Sequence, residues 1–457
     1  MAIATINPAT GETVQTFDPL TAAELEDKLA LAAAAAATYR LTSVDDRIGW
    51  LRAAADVLDR ETDDVARLMT LEMGKTQSAA KAEATKCARA LRHYAEHGPA
   101  FLLPRPADAE AVGAKQAYVI YQPIGVVLAI MPWNFPLWQA MRFAAPALMA
   151  GNVGLLKHAS NVPQTALYLE RLFREAGFPA DVFQTLLISS GDVEKVLRDR
   201  RVAAATLTGS GPAGQSVAAI AGDALKKTVL ELGGSDPFLV MPSADLDRAA
   251  EVAVTSRCQN NGQSCISAKR FIVHAAVADR FEELFAAKLA ALVVGDPMDE
   301  KTDVGPLSTS DGRDDVEELV ADAVGKGARV VVGGSRVDGP GWFYPPTLVT
   351  GITPEMRMYR EEVFGPVAAL YRVPDLDAGI TLANDVDFGL GANIWTNDEA
   401  DRERFIRDAQ AGMVFVNGMV TSYPQLPFGG VKDSGYGREL TDLGMHEFMN
   451  AKTVWIN

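Results

Sequence analysis

The chain has 457 residues, of which 48% are hydrophobic and 22% are charged, and its formal net charge is −16. This length exceeds what one hydrophobic core usually supports, so two or three domains are predicted. The acidic balance argues against a nucleic-acid partner and against attraction to anionic membrane surfaces, since both favour basic proteins.

Cysteine usage indicates a reducing compartment. Only Cys87, Cys258 and Cys265 occur, which is too few for a disulfide framework, and no Cys-x-x-Cys pair indicates zinc. The N-terminus lacks the layout of a signal peptide, so the cytoplasm is the expected location. The uncharged residues 116–141 contain several prolines, which predicts short buried strands rather than a membrane-spanning helix.

The first half of the chain alternates between helical and strand patterns. Alanine-rich helical patterns cover residues 22–40 and 47–97, and an exposed β-ribbon is predicted at 118–122. Further strands are predicted at residues 125–131, 154–157, 182–188 and 204–207, with helices at 164–176, 193–199 and 213–222. This alternation predicts a mostly parallel sheet covered by helices on both faces.

A second alternating region runs from Pro237 to about Val420. Its predicted strands lie at residues 271–273, 329–332 and 414–417, and the tail at 451–457 has the pattern of an edge strand. The fold class is therefore α/β, with two units joined near residues 231–237.

Two motifs predict covalent catalysis followed by hydrolysis. Cys265 lies within Asn-Asn-Gly-Gln-Ser-Cys-Ile-Ser-Ala-Lys-Arg, and Glu231 opens Glu-Leu-Gly-Gly-Ser-Asp-Pro. A thiolate adds readily to a carbonyl carbon, and a carboxylate can take a proton from the water that releases the product. Free cysteines are often small buried residues, and Cys87 and Cys258 are predicted to be structural. The polar neighbours of Cys265 argue against that interpretation there.

The segment Gly209-Ser-Gly-Pro-Ala-Gly214 matches the dinucleotide fingerprint G-x-G-x-x-G. It follows a predicted strand and opens a predicted helix, so the pattern alone would make Glu231 a ribose ligand. Glycine turns before helices are common, however, and a single match is weak evidence.

Together with Met-Pro-Trp-Asn-Phe-Pro at 131–136 and Glu-Glu-Val-Phe-Gly-Pro-Val at 361–367, these motifs resemble the aldehyde dehydrogenase superfamily over essentially the whole chain. The resemblance implies a Rossmann-like cofactor domain (1–112 and 124–232), an α/β catalytic domain (233–438) and a small β oligomerisation arm (113–123 and 439–457). It also implies that Cys265 is the nucleophile and that Glu231 is catalytic rather than a ribose ligand. Asn134 and the main-chain N–H of Cys265 would form the oxyanion hole.

The resemblance further implies a nicotinamide cofactor. Relatives that prefer NAD often carry a glutamate where this chain has Ser160, which favours NADP, with NAD as the alternative. The residues expected to contact the cofactor are Trp133, Asn134, Lys157, His158, Ala159, Ser160, Gly209, Ser210, Leu232, Glu362 and Phe364. Taken alone, these residues also have simpler interpretations. Asn134 is typical of a turn, Lys157 is typical of a solvated strand end, and Glu362 is typical of a surface carboxylate. His158 replaces a proline that is frequent in relatives.

Within the superfamily, the chain is most similar to bacterial NAD(P)-linked succinate-semialdehyde dehydrogenases, on segments such as 155–160 and 427–439. The resemblance implies oxidation of succinate semialdehyde through a cysteine thiohemiacetal and thioester, in GABA degradation. A substrate carboxylate favours arginine. Arg142 matches one of two arginines used by relatives, whereas Gln259 stands at the other position, with Arg257 nearby. Ser422 or Tyr423 is the candidate hydroxyl donor, and a structural salt bridge is the competing interpretation of Arg142.

Two other functions remain open at this point. One is oxidation of another small or aromatic aldehyde, and the other is a cofactor-independent thiol esterase that uses Cys265, Asn134 and Glu231. A noncatalytic protein would have no need of all three. No metal site is predicted, because the five histidines avoid these motifs. The expected partners are a small aldehyde and further copies of the chain in a homodimer or homotetramer, with no nucleic acid and no membrane.

Overall fold

The computed structural model describes residues 3–457 and contains two large sheets with helices on their faces. The first sheet has six strands in the order Gly435–Tyr436, Lys227–Glu231, Val202–Thr208, Val126–Met131, Val153–His158 and Phe183–Thr185. All of its pairings are parallel except that of Gly435–Tyr436 with Lys227–Glu231. The inner strands are nearly continuous apolar runs, as expected for strands that are buried on both faces.

Helices from the first half of the chain cover this sheet. They are Ala22–Tyr39, Val44–Arg60, Thr62–Met73, Gln77–Phe101, Trp138–Ala150, Pro163–Glu175, Val193–Arg198 and Gly211–Asp223. Thr21 and Ser43 begin the first two through reciprocal capping boxes with Glu24 and Asp46. The sequence predicted most of these elements.

The second sheet has seven strands in the order Arg329–Val332, Thr347–Thr350, Val367–Val373, Ala268–His274, Asp236–Val240, Gly391–Trp395 and Met413–Val416. Only the first pairing is antiparallel. The longer helices of this unit are Leu246–Cys258, Ala275–Ala290, Ser310–Gly325, Leu376–Asn384 and Glu399–Asp408. Shorter elements are the hairpin Ile3–Ile6 with Thr13–Phe17, the pair Phe388–Gly389 with Val431–Lys432, the helices Arg357–Arg360 and Thr441–His446, and the 3-10 turns Ser190–Asp192 and Gln259–Gly262.

A small third sheet joins the ribbon to the tail. Its strands follow the order Met449–Ile456, Gln116–Pro123 and Arg105–Pro106, and both pairings are antiparallel. The ribbon and the tail strand, which were predicted separately, therefore pair with each other along their whole length. Met449–Ile456 remains the outer strand of this sheet.

Several predicted boundaries differ from those of the structure, and three of the differences affect whole elements. The pattern at 47–97 is divided into three helices, with breaks at Glu61 and at residues 74–76. The second break arises because Gly74 takes a left-handed φ of 81° and Thr76 caps the next helix. Gly435–Tyr436, which was assigned to the catalytic domain, completes the first sheet. The arm strand starts at Met449 rather than at residue 439, because residues 440–448 contribute apolar side chains to the core around the first sheet.

Within residues 3–457, no helix is long and apolar enough to cross a membrane. The uncharged residues 116–141 form two strands and the start of the helix Trp138–Ala150.

Candidate active site

Four predicted site segments meet because they follow neighbouring parallel strands. Trp133 and Asn134 follow Val126–Met131, residues 157–160 end Val153–His158, Gly209 and Ser210 follow Val202–Thr208, and Leu232 follows Lys227–Glu231. The carboxyl ends of parallel strands lie at one edge of the sheet, which is where ligands bind in open α/β folds. The topology thus brings these segments to a single edge.

The loop that carries Cys265 connects Leu246–Cys258 to Ala268–His274. Asn260 and Asn261 both adopt left-handed backbone conformations, with φ of 53° and 57°. Their buried side-chain amides hold the loop in place, since Asn260 Nδ2 donates to the Asn134 carbonyl at 2.8 Å and Asn261 Nδ2 donates to the Gly74 carbonyl at 2.8 Å. These side-chain bonds replace regular secondary structure in positioning Cys265.

The Gly-Gly pair after Glu231 is required by close packing. A Cβ on Gly234 would lie 2.6 Å from the Cys265 carbonyl oxygen, and one on Gly233 would lie 2.6 Å from Glu362 Oε2. Larger residues would therefore displace either the cysteine loop or the Glu362 carboxylate.

A cavity of about 280 Å³ contains Cys265 and most of the predicted contacts to the reacting end of the cofactor. Asn134 lines it, and its Nδ2 donates to the Gln263 carbonyl at 3.2 Å, so one amide hydrogen remains free. The other predicted residues on this cavity are Trp133, Gly209, Ser210, Leu232, Glu362 and Phe364.

A larger cavity of about 750 Å³ adjoins the first and shares Trp133, Glu362 and Phe364 with it. Lys157, Ala159 and Ser160 line this second cavity. Burial lowers the pKa of Lys157. The two cavities together give an elongated site that leads from the thiol to the lysine.

His158 does not line either cavity. Its imidazole is buried, with Nε2 2.8 Å from the Pro136 carbonyl and Nδ1 accepting from the Ala159 amide at 2.9 Å. Burial lowers the pKa of His158 to about 4. Neighbouring main chain therefore uses both ring nitrogens, and the predicted contact of His158 with the cofactor stays a prediction.

Lys269 is a site residue that the sequence reasoning missed. Its ammonium lies 3.0 Å from Glu362 Oε1 and donates to the carbonyls of Cys265 and Ser264 at 2.9 and 3.0 Å. It thereby joins the carboxylate predicted to hold the cofactor to the loop of the nucleophile. A signal was available, because a lysine four residues from the cysteine of a catalytic loop is an obvious charge partner.

Burial favours the protonated form of the Cys265 thiol in this arrangement. Burial raises the pKa of Cys265 to about 12, and the positive charges of Arg142 and Lys269 oppose that rise. These two cations thus favour the thiolate on which nucleophilic attack depends.

The Glu231 carboxylate is not among the groups that line the cavity around Cys265. It is buried, and neither of its oxygens has a hydrogen-bond partner among residues 3–457. Burial and repulsion from Glu439 raise the pKa of Glu231, while Arg142 and Arg438 lower it. The structure therefore places this carboxyl in a buried charged cluster beside the cysteine site.

The sequence allowed two interpretations of Arg142, a substrate-binding residue and a structural salt bridge, and the structure shows features of both. Its Nε lies 2.6 Å from Glu439 Oε2, and both side chains are buried. The residue also lines a small cavity together with Cys265, Gln259 and Ser422. A structural ion pair is therefore present, and Arg142 nevertheless faces the cysteine.

The other candidate substrate residues differ in whether they reach the cavity beside Cys265. Ser422 lies both on the cavity beside Cys265 and on a neighbouring apolar cavity, whereas Tyr423 lines the neighbouring cavity and is 46% exposed. Arg257 is buried elsewhere and donates to the carbonyls of Gly262 and Ala268. It therefore does not replace the arginine that is absent at Gln259.

Within residues 3–457, no group of three or more His, Cys, Asp or Glu side chains is arranged to hold a metal ion.

The model of the aldehyde dehydrogenase family matches residues 1–454. The chain belongs to the aldehyde dehydrogenase family. A Mycobacterium avium protein named succinate-semialdehyde dehydrogenase [NADP(+)] is 63% identical over 457 residues, which is 100% of this chain and 97% of that protein. A Mycobacterium tuberculosis relative, succinate-semialdehyde dehydrogenase [NADP(+)] 1, is 63% identical over 456 residues and all of both chains. The aldehyde dehydrogenase fold predicted from the sequence is thereby confirmed.

Among solved aldehyde dehydrogenases, the crystal structure of succinic semialdehyde dehydrogenase from Streptococcus pyogenes, in complex with NADP+, superposes with a TM-score of 0.97. It is 40% identical in sequence, and the match covers 100% of each chain. The aldehyde dehydrogenase fold and family membership of this chain therefore agree with the site geometry described above.

Proposed function

We propose that this protein is an NADP-dependent succinate-semialdehyde dehydrogenase, which oxidises succinate semialdehyde to succinate. The observation that carries the proposal is the elongated site in which Cys265 and Asn134 share a cavity that continues to Lys157 and Ser160. Relatives that are 63% identical over the whole of this chain are named succinate-semialdehyde dehydrogenase [NADP(+)]. NAD remains the alternative cofactor.

The residues of the site fit an NADP molecule. Gly209 and Ser210 precede the helix Gly211–Asp223, whose free N–H groups favour a diphosphate. Lys157 and Ser160 on the larger cavity offer a cation and a hydroxyl for a 2′-phosphate. Glu362 is proposed to bind the nicotinamide ribose. When bound, the nicotinamide supplies the hydride acceptor that converts the adduct on Cys265 into a thioester.

In the proposed cycle, the Cys265 thiolate attacks the aldehyde carbon and forms a thiohemiacetal. The free amide hydrogen of Asn134 and the main-chain N–H of Cys265 stabilise the developing oxyanion, and one such donor is worth roughly a hundred- to thousandfold in rate. Lys269, which bonds the Cys265 carbonyl, orients the loop for this step.

Glu231 is proposed to activate the water that hydrolyses the thioester. For that step its carboxyl has to rotate from the buried cluster beside Arg142 and Glu439 toward Cys265. The raised pKa of Glu231 suits a general base, because a more basic carboxylate takes a proton from water more readily.

The substrate proposal is supported by the small cavity beside Cys265. Among the residues that the structure describes on this cavity are Arg142, Ser422 and Gln259, all of which can donate hydrogen bonds to a carboxylate. An uncharged or aromatic aldehyde would leave these donors without partners, at a cost in free energy.

The decisive experiment measures NADPH formation at fixed NADP with a panel of succinate semialdehyde, butanal and benzaldehyde. We expect the highest kcat/KM for succinate semialdehyde. Preference for benzaldehyde would identify the rival dehydrogenase. Ester hydrolysis without cofactor, and with no aldehyde-dependent NADPH, would identify a thiol esterase.

We also propose a homodimer or homotetramer that is built through the small sheet of the ribbon and the tail. A reducing cytoplasm is proposed because the chemistry requires Cys265 as a free thiol.

GABA degradation is the proposed metabolic context, since it generates succinate semialdehyde.

A further inference from the structure

The small cavity beside Cys265 contains a cation that the sequence did not single out. Lys86 lies on the helix Gln77–Phe101, far from every catalytic motif, and its side chain reaches this cavity together with Arg142 and Gln259. The ammonium lies 4.2 Å from the Trp138 ring centroid, where it is attracted by the π face. No carboxylate within residues 3–457 forms an ion pair with it.

Lys86 also determines which hydrogen bonds the Ser422 hydroxyl can still form. The Ser422 Oγ accepts hydrogen bonds from Lys86 Nζ at 2.7 Å and from Trp138 Nε1 at 2.9 Å. A hydroxyl has two acceptor lone pairs and one donor hydrogen. Because both lone pairs are engaged, the buried Ser422 hydroxyl is left with only its hydrogen to offer.

Two further donors on this cavity lack partners. Gln259 Nε2 and Arg142 Nη2 are buried without a hydrogen-bond partner among the described residues. No Asp or Glu side chain of residues 3–457 lines the cavity. Arg142 is already compensated by Glu439, whereas Lys86 is not. The cavity therefore has donors and an uncompensated positive charge, but no negative charge of its own.

We propose that Lys86 binds the carboxylate of the aldehyde substrate, with Ser422 and Gln259 as additional donors. This inference rests on the proposed function, because it requires an acidic aldehyde. Buried cations are stable when paired, and the substrate carboxylate is the anion that would complete the pair while its aldehyde end reaches Cys265.

The protonation of Lys86 provides a second signature. Burial, followed by the charge of Arg142, lowers the pKa of Lys86 to about 8. The groups that face it are Arg142 on the helix Trp138–Ala150, Cys265 on its loop, and Glu83 and Cys87 on its own helix. A neutral amine attracts a carboxylate much less, so selectivity for the acidic aldehyde should fall as pH rises through about 8.

The test compares kcat/KM for succinate semialdehyde with that for butanal, an uncharged aldehyde of the same length, with NADP at saturation. In Lys86→Met, we expect the ratio of the two values to fall roughly 10- to 100-fold, the range for losing a charged hydrogen bond. Lys86→Arg should recover part of the ratio because the charge is retained. Lys81→Met is the matched control, since Lys81 is exposed on the same helix and pairs with Asp63.

An unchanged ratio in Lys86→Met, from a wild type that prefers succinate semialdehyde, would overturn the role of Lys86. A wild type without that preference would instead overturn the proposed substrate. If Lys86→Met folds poorly, the inference is tested on the wild type instead. The ratio of kcat/KM for succinate semialdehyde to that for butanal is then measured between about pH 6.5 and 9.5. A ratio that declines around the Lys86 pKa supports the inference, and a constant ratio contradicts it.

Discussion

The Nε atom of Arg142 lies 2.6 Å from Oε2 of Glu439, and the two side chains are 2% and 5% exposed. This ion pair joins the helix Trp138–Ala150 to the segment that leads into the C-terminal strand. It also influences the two proposed catalytic groups, because Arg142 lowers the pKa of both Cys265 and Glu231, whereas Glu439 raises that of Glu231. A contact between distant segments thus affects the pKa values of both the proposed nucleophile and the proposed base.

The first prediction follows from that pair. Arg142→Ala leaves the Glu439 charge buried without a partner, so we expect a loss of about 3–5 kcal/mol in the free energy of unfolding. Activity should fall on both succinate semialdehyde and butanal. Urea denaturation and kcat/KM for both aldehydes measure these effects. Arg142→Ala with Glu439→Gln should recover part of the stability, and loss confined to the acidic aldehyde would show that Arg142 acts only on the substrate.

The second prediction concerns the nucleophile. Cys265→Ala removes the sulfur that forms the covalent bond, so we expect turnover to become undetectable. NADP should still bind with an unchanged Kd, because its predicted contacts lie on Lys157, Ser160 and Glu362. Fluorescence titration of NADP and NADPH formation test the two parts separately. Substantial activity in Cys265→Ala would contradict the assignment.

The third prediction concerns deacylation. Glu231→Gln should slow thioester hydrolysis while leaving hydride transfer, so a burst of NADPH should precede slow turnover in stopped-flow measurements. A variant without a burst and with normal turnover would remove Glu231 from this role.

The pH dependence of the same step tests the environment of Glu231. A base must be deprotonated, and the pKa of Glu231 is raised, so deacylation should accelerate as pH rises through that pKa. Glu439→Gln removes the repulsion that helps to raise the pKa, so the ascending limb should move to lower pH. A limb that stays at the wild-type pH would contradict the coupling of the two carboxyls.

The sequence predicted the part of the site that is carried by local motifs. Cys265, Asn134, Leu232 and Glu362 were each identified from a short segment, and all four line one cavity. Asn134 and Leu232 follow parallel strands of the first sheet that end at one edge, whereas Cys265 and Glu362 lie in segments that precede strands of the second sheet. Residues of a catalytic motif can be recognised from a few neighbouring residues in the sequence, whereas the fold determines only how the motifs come together.

Contacts between segments that lack a motif could not be predicted. Lys86 occurs in an ordinary helical pattern, and only the packing of its helix against Trp138 places it beside Ser422. The position of the His158 ring could not be predicted for the same reason, since it is the Pro136 carbonyl that engages the ring. Pairings of this kind depend on the tertiary arrangement of segments that periodicity does not relate.

The fourth prediction tests cofactor choice. Ser160→Glu would place a carboxylate in the cavity that also contains Lys157, where it would repel a 2′-phosphate and bind a 2′-hydroxyl. We expect the ratio of kcat/KM for NADP to that for NAD to fall on the order of 10- to 100-fold. Ser160→Ala is the matched control, since it removes the hydroxyl without adding charge. A wild type that strongly prefers NAD would contradict this role of Ser160.

The last prediction concerns assembly. Met449–Ile456 pairs with Gln116–Pro123 on one side only, so its other edge has main-chain groups available, and Trp455 and Ile456 are 51% and 40% exposed. Exposed strand edges with apolar side chains favour pairing with another chain. Deleting residues 453–457 removes half of that edge, so we expect the mass measured by light scattering to shift toward the monomer. Trp455→Lys, which keeps the strand but adds charge, should weaken assembly in the same direction. An intact protein that is monomeric at micromolar concentration would refute the proposed homo-oligomer.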